Sequence, residues 1–104
     1  MEVLSNEIKI AQGDSGSIEI TLANTDGSVY ELRHGERLIF SVKQRPSHEI
    51  LLKKEGARIE LTEEDTINLP TGKYLYDVVL RSLGGDVVTV IKPTLFEVEK
   101  TVHN

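Results

Sequence analysis

Gly13-Asp14-Ser15-Gly16 comes closest of any stretch to the residue types of a reaction centre. A serine hydroxyl becomes a nucleophile when a histidine takes its proton and an acid orients that histidine. In the serine-protease order that goes with this tetrapeptide, histidine and acid both precede the serine. Here His34, His48 and His103 all follow Ser15, and 104 residues are too few for a two-barrel protease. Small polar residues between glycines are ordinary turn material, and a turn is expected. Glu63-Glu64-Asp65 could offer oxygens to a hard cation, but cation loops space their ligands at alternate positions around a glycine. Acids in the first turn of a helix are stabilised by its dipole, so cap and dipole residues are expected here instead of ligands. The three histidines are scattered, and no pair shows metal-ligand spacing.

Asp77 falls mid-strand beside tyrosine, where acids are depleted. It is expected to accept hydrogen bonds from a neighbouring loop or to face water. Paired catalytic carboxylates need a cleft, and no pattern supplies one. No catalytic, cofactor-binding or metal-binding residue is therefore assigned, and no enzyme, cofactor or small-molecule substrate is expected. Phe40, Tyr74, Tyr76 and Phe96 could line a sugar-binding groove; on inward strand faces such rings more often form core, because each buries so much area. Tyr30 lies outside that set in a short, loop-like piece and is the candidate for an exposed contact.

Composition narrows the partners. One domain spanning 1–104 is expected, with its core over about 7–99 and loose tails at 1–6 and 101–104. Cysteine is absent, which removes disulfides and thiol chemistry and fits a cytosolic origin. A net charge of -5 disfavours neutralising a nucleic-acid backbone. No basic cluster exceeds Lys53-Lys54, and five aromatic residues are few for a stacking platform. The start, Met1-Glu2-Val3-Leu4-Ser5-Asn6-Glu7, lacks the basic and apolar regions of a signal peptide. No window approaches the roughly 20 apolar residues of a membrane span. A soluble chain folded in the cytoplasm, without membrane contact, is expected.

The elements that must position these residues alternate with period two. Ile8 and Ile10 form one inward row; Ile18, Ile20 and Leu22 form the next, closed by a turn at Asn24-Thr25-Asp26-Gly27. Val29-Tyr30-Glu31-Leu32 reads as a short strand before the bend at His34-Gly35-Glu36. Leu38, Phe40 and Val42 follow, and Pro46 ends that run. Ile50–Lys54 and Arg58–Leu61 flank a turn at Glu55-Gly56. Thr62 caps a single helical turn, with Asp65 as its capping-box partner. Tyr74, Tyr76, Val78 and Leu80 then share one face of a long strand. Gly84-Gly85-Asp86 turns it into Val87–Ile91, Pro93 breaks the run, and Phe96 and Val98 belong to a last strand. About eight short strands with frequent turn signals predict an all-β sandwich or small barrel.

Leu69-Pro70-x-Gly72-x-Tyr74 sharpens that expectation. In immunoglobulin-like sandwiches a tyrosine near the start of strand F bonds its hydroxyl back to upstream backbone. The stretch resembles the corresponding corner of fibronectin type III domains. An antiparallel immunoglobulin-like or fibronectin type III-like sandwich is thus expected, with Tyr74, Leu69, Pro70 and Gly72 as its structural corner and Tyr76 in the core. The missing cysteine pair and tryptophan exclude an antibody-type domain.

A wider series runs from Glu7 to Val98: Gln12-Gly13-Asp14, Phe40-x-Val42-Lys43, Leu61-Thr62-x-x-Asp65-Thr66, Leu69-Pro70-x-Gly72-x-Tyr74-x-Tyr76-Asp77-Val78 and Gly85-Asp86-x-x-Thr89. It resembles the N-terminal domain of baseplate upper proteins from tailed phages and prophages of Gram-positive bacteria. The sequence departs from that pattern at Pro93-Thr94, where a glycine is expected. Members of the family also continue into receptor-binding domains, whereas this sequence ends at Asn104. The resemblance implies a virion structural or assembly module of the tail, baseplate or head–tail region, assembled in the bacterial cytoplasm. It implies partners that are other virion proteins or further copies of the chain, as a homo-oligomer. The alternative is a sandwich that binds glycans or a peptide.

Overall fold

The computed structural model describes residues 2–3, 7–45, 47 and 49–100, the first two by their backbone alone. Pro46, His48, His103 and most of the tails lie outside the described residues. The strands are β1 (Glu2–Val3), β2 (Ile8–Ala11), β3 (Gly16–Glu19), β4 (Leu22–Ala23), β5 (Arg37–Lys43), β6 (Ile50–Glu55), β7 (Arg58–Leu61), β8 (Gly72–Arg81) and β9 (Val87–Glu99). One helical turn, α1 (Glu63–Ile67), joins β7 to β8. The fold is all-β and sandwich-like.

Five strands form one sheet in the order β2-β9-β8-β5-β6. β3 pairs with β7, β1 with β4, and both small pairs lie apart from the large sheet. The large sheet is mixed, not purely antiparallel, because β2 runs parallel to β9 with Ile8 opposite Phe96 and Ile10 opposite Val98. Leu38, Phe40, Val42, Tyr76, Val78, Phe96 and Val98 point from the large sheet into a core shared with Ile20, Leu22, Ile59 and Leu61. Phe40, Tyr76 and Phe96 form its aromatic centre, with ring centroids 5.4 to 6.5 Å apart. Three of the four aromatic residues suspected of lining a groove are thus packed on one another, as the inward alternation implies.

Two expected elements differ. The break at Pro93 does not occur: β9 runs from Val87 to Glu99 in a single strand. Between Tyr76 and Val79 the β9 side advances from Thr94 to Thr89, so β9 holds two extra residues there. These are bulges, and a bulge tolerates a proline because the ladder is already interrupted. The same bulges turn two successive residues, Val90 and Ile91, toward the core. The strand expected at Val29–Leu32 reduces to one isolated bridge, between Val29 and Ala23. Glu2 and Val3 form the short pair with β4, opposite Ala23 and Leu22.

The turn at Glu55-Gly56 is a crossing and not a hairpin: β6 belongs to the large sheet and β7 to the small one. The Gly56 amide donates to Leu38 O at 2.9 Å, which anchors the chain as it leaves the sheet.

Candidate interaction surfaces

The chain crosses back at α1, and a hydrogen-bonded knot holds that corner. Thr62 Oγ1 accepts from the Asp65 amide at 3.1 Å, and Asp65 Oδ2 accepts from the Thr62 amide at 2.9 Å, completing the capping box. Lys54 Nζ reaches the same carboxylate at 2.9 Å. Burial works to raise the Asp65 carboxyl, and the bonds from Lys54 and Thr62 outweigh it, so the group lies below the ordinary aspartate value. Glu63 and Glu64 sit exposed in the first turn beside Asp65. Among the described residues no three acids or histidines gather as a metal site.

Thr66, fully buried, ties this turn to the first bend of the chain. Its hydroxyl donates to Asp14 O at 2.7 Å and accepts from the Gly13 amide at 2.9 Å. Gln12 Nε2 donates to Leu69 O at 2.8 Å. Gly13 takes a φ of 88°, and a Cβ there would also meet Ile67 Cδ1 at 3.4 Å. Gln12-Gly13-Asp14 therefore docks on the corner, while Ser15 lies exposed in the bend. Thr66 belongs to the motif series, but its side-chain bonds to the first bend were not foreseen. The signal available was its place four residues after an N-cap in an otherwise exposed turn.

Tyr74 is buried, and its hydroxyl donates to Pro70 O, four residues upstream. Burial pushes that hydroxyl above the usual phenol value. Leu69 is buried beneath the corner, and Gly72 begins β8. Tyr74→Phe keeps the ring and strands the Pro70 carbonyl, at an expected cost of about 1–2 kcal/mol. Urea unfolding measures this, and an unchanged midpoint would show that the latch carries no stability. Tyr74, Leu69 and Pro70 also line a groove of about 620 Å³ with Leu51, Leu52, Asp65 and Lys73.

Tyr30 is half-buried and not free. Its hydroxyl donates to Glu36 at 2.7 Å, and the Arg33 amide donates to the same carboxylate at 2.6 Å. These bonds hold Glu36 below the usual carboxylate range, the Arg33 amide contributing most, and Glu36 in turn raises the Tyr30 hydroxyl. Tyr30 thus braces the segment over an apolar cleft of about 360 Å³ lined by Val29, Leu32, Leu22 and Leu38. His34 lies exposed in the adjoining turn.

That cleft belongs to the least covered end of the molecule. β9 has 13 residues and β7 has four, or about 43 Å against 13 Å at full extension. The β8–β9 hairpin is thus a long arm with Leu83 at its tip, in a body 48 Å long and 19 Å thin. Leu38, Leu80 and Val88 face one another across the arm's inner side, yet Val88 stays half exposed. Leu83 at the tip is 76 % exposed. Gly35 fits against it because it has no Cβ, which would lie 2.7 Å from Leu83 Cβ. Val29, Leu32, Leu83, Val87 and Val88 make this the chief concentration of exposed apolar side chains among the described residues.

The outer face of the large sheet differs in character. Asp77 is buried in its middle and accepts from Lys43 Nζ at 2.7 Å, a cross-strand lysine where a loop donor or water was expected. Lys9, Arg37, Lys43, Lys53, Lys73 and Arg81 project from this face by strand register, against Glu55, Asp77, Glu97 and Glu99. On the opposite side β3 and β7 turn Glu19, Glu60 and Arg58 outward. Arg58 is held there by Glu60 at 2.7 Å and Glu19 at 3.5 Å.

No protein-family model matches this sequence, and no curated protein matches it either. The geometry of these surfaces therefore carries the functional reading.

Proposed function

We propose that this chain is a non-enzymatic, immunoglobulin-like assembly module of a phage or prophage virion, in the tail, baseplate or head–tail region. It acts by protein–protein association, with other virion proteins or with its own copies. The exposed apolar side chains at the arm's end carry this reading: Val29, Leu32, Leu83 and Val88 are exposed at one end of a small domain, and exposed apolar surface of this kind marks a contact site. The corner supports the immunoglobulin-like assignment, because Tyr74 bonds back to Pro70 at the start of β8, just after the chain crosses from the small sheet to the large one. The order β9-β8-β5-β6 opposite β3–β7 follows the layout of such a sandwich, in which strands G, F, C and C′ face B and E. The motif series from Gln12 to Thr89 supplies the virion setting, and Gln12-Gly13-Asp14 and Thr66 from that series meet at the corner. In a density gradient of particles from an induced culture of the encoding bacterium, an antibody to the chain is expected to follow the particle band. Signal confined to the soluble fractions would overturn the virion assignment.

A further inference from the structure

The two broad faces of the molecule carry opposite charge surpluses. On the outer face of the large sheet, Arg37 is held by Glu55 at 3.0 Å and Lys43 by Asp77 at 2.7 Å. Those pairs leave Lys9, Lys53, Lys73 and Arg81 facing Glu97 and Glu99, a cationic surplus on a chain whose net charge is -5. The opposite side shows the reverse. Glu19 and Glu60 flank the single guanidinium of Arg58, and Glu63 and Glu64 follow β7 in the first turn of α1. Among the described residues, Lys9, Lys53, Lys73, Arg81 and Glu99 on the one face and Glu19, Glu60, Glu63 and Glu64 on the other are solvent-exposed, and Arg58 answers Glu19 and Glu60 with one positive charge against two negative ones.

We propose that copies of this chain stack front to back, the cationic outer face of the large sheet of one copy meeting the acidic β3–β7 face of the next. The occupant is a second copy because the complementary charge is found on the same chain, on the opposite face. Complementary potentials orient an encounter and fix its register more than they add affinity. A contact between two different faces is heterologous, so it leaves both outer faces open and continues into a ring or a filament. A two-fold contact would instead close at two copies. The inference rests on the association reading above and adds its partner and its geometry.

Sedimentation of the intact chain tests it. At about 10 mM ionic strength, where charges act over roughly 30 Å, the mean mass should climb past two copies as concentration rises. At about 1 M, where that range falls to roughly 3 Å, it should return toward the monomer. Lys9→Glu/Lys53→Glu/Lys73→Glu and, separately, Glu19→Lys/Glu64→Lys should each weaken association about tenfold or more. Mixing the two variants should restore it, because one then presents acids on both faces and the other cations. All substituted side chains are exposed, and circular dichroism verifies that both variants fold. A monomer at every concentration in low salt, a closed dimer, or association indifferent to salt and to both reversals would overturn the proposal. The particle gradient reads the virion assignment separately: a chain present in particles that does not stack in solution sinks only the stacking.

Discussion

Thr66→Val is expected to lower stability by about 2–4 kcal/mol, although it replaces a hydroxyl by a methyl of similar size. The hydroxyl serves as donor to Asp14 O and as acceptor for the Gly13 amide. Valine abandons both backbone groups, and each orphaned group costs about 1–3 kcal/mol where water cannot replace the lost partner. Thr66→Ser retains the hydroxyl and should recover most of the loss. Denaturant midpoints of the three proteins check this. A Thr66→Val midpoint equal to the parent would mean that water reaches both groups and that the bend does not depend on the corner.

Phe96→Ala should cost still more, about 3–5 kcal/mol. Phe96 is fully buried, with its ring 6.3 Å from Phe40 and 6.5 Å from Tyr76. Its strand lies between β2 and β8, with Ile8 and Tyr74 as its cross-strand neighbours. Truncation therefore opens a cavity at the one place where the parallel edge strand, the central hairpin and the aromatic centre meet. A domain of this size has about 5–15 kcal/mol in all, and about 4–8 °C of melting temperature goes with each kcal/mol. Melting should fall by some 15 °C or more. A drop of only a few degrees would show that the core collapses freely around the site.

Much of this core was legible because inward rows such as Leu38, Phe40 and Val42 alternate without interruption. The capping box at Thr62 and Asp65 was legible too, since it is a local pattern four residues long. Long-range pairings were not. Thr66 and Asp14 are 52 residues apart, and nothing in either neighbourhood announces the other. The parallel seat of β2 beside β9 likewise depends on a partner at the far end of the chain. Pro93 misled because a proline ends a regular ladder, whereas here the ladder is already bulged. Leu83, Val87 and Val88 were visible as apolar residues around a glycine turn. Their faces and exposure follow from the register of β9 on β8, which puts Val88 beside Leu80 and Val87 beside Arg81 and which only the assembled sheet reveals.

On the proposed reading, the apolar arm brings this module into a virion. The most direct measurement compares particles purified from cells making the parent chain with particles from cells making Leu83→Asp/Val88→Asp, as the only copy in each case. Both positions are exposed on the arm, and circular dichroism verifies that the variant folds. Quantitative blotting of the particle band should find the parent at a fixed ratio to the other virion proteins and the folded variant only in the soluble fraction. Equal incorporation of parent and variant would contradict the arm as the contact. Absence of the parent from the particles would contradict the account as a whole.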